Sequence, residues 1–128
     1  MLKIFFLYKF YMNIKILVKI FILLILVDLI WLKLIAEKKY RNMIKNIQGV
    51  DMKVQILPAL SVYFLMAILL ILFGSTDIRN FILGFCTYGV YDMTNLAIFN
   101  KFDAKFAIAD MIWGGILFTV TYRLNKII

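Results

Sequence analysis

Residues 87–99, Thr-Tyr-Gly-Val-Tyr-Asp-Met-Thr-Asn-Leu-Ala-Ile-Phe, put a carboxylate and several hydrogen-bonding groups inside an otherwise apolar run. Asp92 is its centre. An ionised aspartate at the middle of a helix in a bilayer is unfavourable by about 2.5–3.5 kcal/mol, so such a residue needs partners. On a helix Tyr88 and Asn95 fall on the face of Asp92, Tyr91 and Asn95 form a second pair at i, i+4, and Thr94 adds a hydroxyl beside them. Two more acids occur in apolar surroundings, each with an indole three residues on: Asp28-x-x-Trp31 and Asp110-x-x-Trp113. The indole N–H is a donor that can satisfy a neighbouring carboxylate on the same helix face. For Trp31, anchoring at the membrane–water interface is an equal reading, whereas Trp113 is too deep for that. Desolvated carboxylates of this kind can carry protons or bind a cation.

Other chemistries find no residues. The chain has no histidine and a single cysteine, Cys86, so an intramolecular disulfide and a histidine- or thiolate-based metal site are excluded. No serine is placed beside a base and no glycine-rich phosphate loop is present, so the sequence offers no catalytic constellation and implies no cofactor.

The elements that must position these groups are membrane helices. Of 128 residues 65% are hydrophobic and one is proline, far from the composition of a soluble domain. The apolar residues form blocks of spanning length, which predicts an all-α, multi-pass integral membrane protein with four transmembrane helices, at about 16–36, 56–73, 80–99 and 106–124. Residues 1–15 alternate lysine with aromatic side chains and read as an interfacial lead-in, with Met12 an alternative start. The first apolar run lacks a small-residue cleavage site and continues through Asp28, so it reads as an uncleaved span. Residues 37–55 carry Lys38, Lys39, Arg41, Lys45 and Lys53, with Tyr40, Met43, Ile44 and Ile47 at helical spacing. That pattern predicts a basic amphipathic helix on the membrane surface, facing anionic headgroups over 38–53, with a solvated connector as the alternative. Pro58 suits the first turn of the second span, and Gly74–Asp77 a short turn before the third. Short links make consecutive helices antiparallel neighbours.

Four spans put both termini on one side and the 37–55 segment on the other. Counting from that second side at 1.5 Å per residue places Asp28, Asp92 and Asp110 at depths of roughly 10, 10 and 6 Å. Ser61 and Tyr63 fall in the same layer. Three carboxylates in one low-dielectric layer should form one site sharing protons, with Asp92 at its centre. An inverted repeat would map an acid near one side of the membrane onto one near the opposite side, whereas both acids lie near the same side, so repeat symmetry does not account for the repeated acid–indole spacing and convergence on one polar site does. The net charge of +8 lies at the edges of apolar blocks, where it meets headgroups, and no nucleic-acid motif accompanies it. Lys and Arg divide almost evenly between the two sides, which leaves orientation open.

Asp28-Leu-Ile-Trp31, Tyr91-Asp92-Met-Thr94-Asn95-Leu-Ala97 and Asp110-Met-Ile-Trp113-Gly114 resemble, in order and spacing, a family of small bacterial membrane proteins, domain of unknown function 2177. The resemblance covers about residues 12–128 and implies the four-span architecture, in the plasma (inner) membrane, but no established activity. The residues then support three functions: a small proton- or cation-linked transporter subunit, a structural protein whose aspartates hold helices together, or a membrane-embedded enzyme acting on a lipid with an aspartate as base. Four helices are few for a solitary pathway, so the transporter reading implies a homo-oligomer.

Overall fold

The computed structural model describes residues 1–4 and 14–128, so most of the expected lead-in over 1–15 lies outside the described residues. Every regular element among the described residues is helical: α1 (Ile14–Trp31), a π-helical turn (Leu32–Ala36), α2 (Glu37–Gln48), α3 (Ile56–Phe73), α4 (Asp77–Ile98) and α5 (Ala104–Ile127).

The boundaries have local causes. Gly49, at φ 80, closes α2 in the left-handed conformation that glycine adopts without steric cost, and its N–H reaches the Lys45 carbonyl at 2.8 Å. Pro58 sits in the first turn of α3, where its missing donor costs nothing. Thr76 caps α4 by accepting from the Arg79 N–H, and Asp103 caps α5 by accepting from the Lys105 and Phe106 N–H groups.

One boundary departs from the sequence reading. The first span and the amphipathic segment are not separated: helical backbone runs from α1 through the π turn into α2, then ends at Gln48 and leaves residues 49–55 non-helical. The apolar face of α2 also has a different use. Met43 is buried, and Tyr40 and Ile47 pack with it against Phe102, Phe106 and Ala107, so this face covers the start of α5. The basic residues Lys38, Lys39, Arg41 and Lys45 remain outside.

α5 is the central helix. Its buried residues Ala107, Asp110, Gly114, Leu117, Phe118 and Thr121 recur every three or four positions and form one inward stripe. It packs most extensively on α4 and next on α1, while α3 leans on α1. Gly84 and Gly114 permit the α4–α5 approach, since a Cβ at Gly84 would run into the Gly114 carbonyl and a Cβ at Gly114 into the Tyr88 ring. α3 and α4 are joined by a three-residue link yet touch sparsely, so the neighbour relation expected of consecutive helices holds only weakly here.

Two apolar clusters result. One gathers Ile20, Leu24, Val27, Met66, Ala67, Leu70, Leu117 and Phe118; the other lies under α2. Between helices with apolar surroundings such clusters act through close van der Waals packing of side chains such as Phe118. The outer surface is apolar as well, with Leu57 78% and Val90 71% exposed, the reverse of what a water-facing surface presents. α3 and α5 are long and apolar enough to cross a membrane. α1 and α4 miss that standard of length and composition because of the polar residues they carry, Lys15, Lys19 and Asp28 on one and Asn80, Asp92 and Asn95 on the other.

Candidate functional site

The three acids lie in the layer between the two apolar clusters. Along α1 the order is Val27 of the first cluster, Asp28, then Ala36 of the second, just beyond the helix; along α5 it is Ala107 of the second, Asp110, then Leu117 of the first. Asp28, Asp92 and Asp110 are 5%, 0% and 9% exposed.

Asp28 is saturated with donors. The Tyr63 hydroxyl donates to Oδ2 at 2.5 Å, the Trp113 indole N–H to Oδ1 at 2.8 Å, and the Tyr88 hydroxyl approaches Oδ1 at 3.5 Å. Those donors come from α3, α5 and α4, so one carboxylate ties three helices to α1. Hydrogen bonds to a charged acceptor are worth about 1.5–3 kcal/mol each.

Asp92 is the opposite case. Both of its oxygens are buried and no donor among the described residues reaches them. Across the α4–α5 contact its carboxyl faces that of Asp110. Trp31 lies beside Asp110 from the other direction, but the indole N–H is buried without an acceptor.

This geometry corrects the sequence reading at three points. Tyr88 serves Asp28 rather than Asp92, because the Gly84–Gly114 approach turns its ring into the bundle. Asn95 is only half-buried and makes no bond to Asp92, while Thr94 is exposed and donates to the Val90 carbonyl at 2.5 Å, a local bond within the helix. Tyr91 faces outward and its hydroxyl pairs with that of Tyr40 on α2. Asp92 is therefore not the hydrogen-bonded centre of the layer; Asp28 is. Ser61, placed in the same layer by counting, is exposed and bonds the Leu57 carbonyl.

The acid–indole pairs cross between helices instead of closing within one. Trp113 of α5 donates to Asp28 of α1, Trp31 of α1 lies beside Asp110 of α5, and the two indoles stack with centroids 5.4 Å apart and planes 8° from parallel. Two antiparallel helices carrying the same i, i+3 spacing produce that exchange when their registers differ by one such step, about 4.5 Å. This corrects the exclusion of repeat symmetry drawn from the sequence: the depths of the acids excluded a two-fold axis at the membrane centre, whereas the local two-fold relation lies within the acidic layer itself. The two halves are unequal, since only the Asp28–Trp113 bond is closed.

The sparse α3–α4 contact leaves a cleft of about 620 Å³ beside this layer. Asp28, Asp110, Trp31, Tyr63, Tyr88 and Tyr91 reach it, together with Tyr40 and Phe106, whose rings stack at 5.8 Å. Apart from Thr87 the rest of the lining is apolar, from α3 above all, and no lysine or arginine among the described residues contributes. Tyr63 and Tyr40 were not among the expected site residues. Tyr63 was legible by depth alone, whereas Tyr40 was hidden in the amphipathic pattern of α2. No group of metal-ligating side chains occurs among the described residues.

No curated protein and no solved structure matches the chain. A family model described as a predicted membrane protein, DUF2177, matches residues 13–124, nearly the whole chain. The ordered run of Asp28–Trp31, Tyr91–Ala97 and Asp110–Gly114 lies wholly inside that match, and the chain belongs to the DUF2177 family of predicted membrane proteins.

Proposed function

We propose that the chain is a multi-pass protein of the plasma membrane, crossing it through α1, α3, α4 and α5, and that its acidic layer takes up and releases a proton or small cation as part of a transport cycle. The observation that carries this reading is the Asp92–Asp110 pair: two buried carboxyls that face each other, with no hydrogen-bond donor reaching Asp92 and no basic side chain beside them among the described residues. Such a pair cannot hold two negative charges in low dielectric, so it holds one proton or one cation between its members. A purely structural use of Asp92 would supply it with donors, as Asp28 is supplied. Asp28 itself favours the second reading, of an acid that holds helices together, and the two roles divide the layer between them.

The four-span part rests on the way α1 and α4 direct their polar groups inward. Asp28, Asn80 and Asp92 are buried, and Lys19 Nζ bonds the Asn125 carbonyl at 2.9 Å. α1 alone, with 18 residues, is about 27 Å long. The exposed lysines of α2 suit anionic headgroups at the membrane surface, and with few helices per chain the transporting unit is a homo-oligomer.

The test is flux through purified protein in sealed liposomes, read with an internal pH dye under an imposed membrane potential and across a panel of ions and metabolites. Protein-dependent flux that Asp92→Asn and Asp110→Asn remove is expected. Flux equal to that of empty liposomes across the panel contradicts the proposal. Reporter fusions after Gln48 and after Lys126 should read opposite sides of the membrane, and the same side for both contradicts four spans.

A further inference from the structure

We propose that the cleft between α3 and α4 is a binding site for an organic cation with an apolar, preferably aromatic, body. This deepens the transport reading by naming the substrate class, and it rests on the same acidic layer. Four observations converge. The volume, about 620 Å³, is that of a site for a small organic molecule rather than for a bare ion. The acidic groups that line it are two carboxyls, Asp28 and Asp110, and no basic side chain among the described residues offsets them. Asp110 is nine-tenths buried, lines the cleft and faces the Asp92 carboxyl, and the N–H of the neighbouring Trp31 has no hydrogen-bond partner among the described residues. The walls are aromatic rings and aliphatic side chains, and rings attract a cation through their faces by about 0.5–2 kcal/mol each, more when water is excluded.

The two acids divide the task. Asp28 already receives the Tyr63, Tyr88 and Trp113 donors, so its carboxyl is held in place by the fold. Asp110, paired only with the Asp92 carboxyl and the Trp31 indole beside it, has no such set of donors and is the acid left to meet a cation. An anion is rejected by the same arrangement, because no N–H⁺ group reaches the cleft to receive it, and a neutral amphiphile gains the apolar walls but leaves Asp110 as it was. A plain lipid-filled crevice would need only the α3 wall and would be indifferent to charge.

Tetraphenylphosphonium and tetraphenylborate have nearly one shape and opposite charge, so they separate charge recognition from apolar filling without any mutation. Binding to purified, detergent-solubilised full-length protein would be followed by equilibrium dialysis and by quenching of the two tryptophans, both in the acidic layer. Saturable phosphonium binding at least tenfold tighter than borate binding is expected. Asp110→Asn should weaken phosphonium binding about tenfold while leaving the thermal unfolding midpoint near that of the wild type. Equal binding of the two ions, no saturable phosphonium binding, or phosphonium binding unchanged in Asp110→Asn would overturn the proposal. Phosphonium binding without any flux in liposomes would retire the transport cycle and leave the binding site standing; flux of inorganic ions without phosphonium binding would do the reverse.

Discussion

Asp28 and Asp92 occupy the same layer of the same bundle, are equally hidden, and are treated in opposite ways. Asp28 has three donors from three helices, and Asp92 has none. A fold that buries a carboxylate to join helices supplies N–H and O–H groups, because each unmet bond costs about 1–3 kcal/mol. Asp92 is left unmet beside another carboxyl, and under the proposed function the contrast divides one acidic layer into an anchor and a receptor.

The sharpest way to break the contrast is to remove the anchor. Asp28→Leu strands the Tyr63 hydroxyl and the Trp113 N–H in an apolar interior and should destabilise the protein by about 3 kcal/mol or more, read as loss of monodisperse protein and a large fall in the unfolding midpoint in detergent. Tyr63→Phe removes one bond and leaves the carboxylate two donors, so a loss of about 1–2 kcal/mol is expected by the same measurement. Asp92→Asn should go the other way or change nothing, within about 1 kcal/mol, because its amide offers Asp110 a donor in place of the shared proton. An Asp92→Asn fall as large as that of Asp28→Leu would erase the distinction.

The smallest effect lies at the surface, where Arg123 donates through both Nε and Nη2 to the Asp77 carboxylate at the start of α4. That hydrogen bonding, ahead of the charge itself, holds the Asp77 carboxyl below its ordinary range. A carboxyl whose folded value is depressed contributes stability that is present above its unfolded value, about 3.9, and lost as pH falls through the lower folded one. Wild type should therefore lose its small advantage over Arg123→Gln only below about pH 4, seen in unfolding midpoints taken across pH.

Much of this site is legible in the sequence because polar residues stand out in apolar runs. Asp28, Asp110 and their indoles were identifiable by type and spacing, and the counted depths of about 10 and 6 Å already differ by nearly one i, i+3 step of 4.5 Å. What spacing does not give is the partner. Tyr88 is local to Asp92 at i, i+4, but it turns toward Asp28 because two glycines, Gly84 and Gly114, bring α4 onto α5 at that level. The same approach leaves α4 thinly packed on α3, and so the cleft, a consequence of side-chain volumes across three helices, has no signature in any one of them. Tyr40 illustrates the other loss: its place in an amphipathic pattern signals a surface, and only the docking of α2 on Phe102 and Phe106 shows which surface.

The central claim is that the Asp92–Asp110 pair, and not Asp28, is the receptor of the layer. Infrared spectra of the purified protein taken from pH 4 to 9 test it directly, since a buried protonated carboxyl has a C=O stretch that a carboxylate lacks. With no added cation, the account predicts such a band in the wild type at neutral pH, removed or shifted by Asp92→Asn and by Asp110→Asn and retained in Asp28→Asn. A wild-type spectrum with no protonated-carboxyl band at neutral pH, or a band that only Asp28→Asn removes, would contradict it.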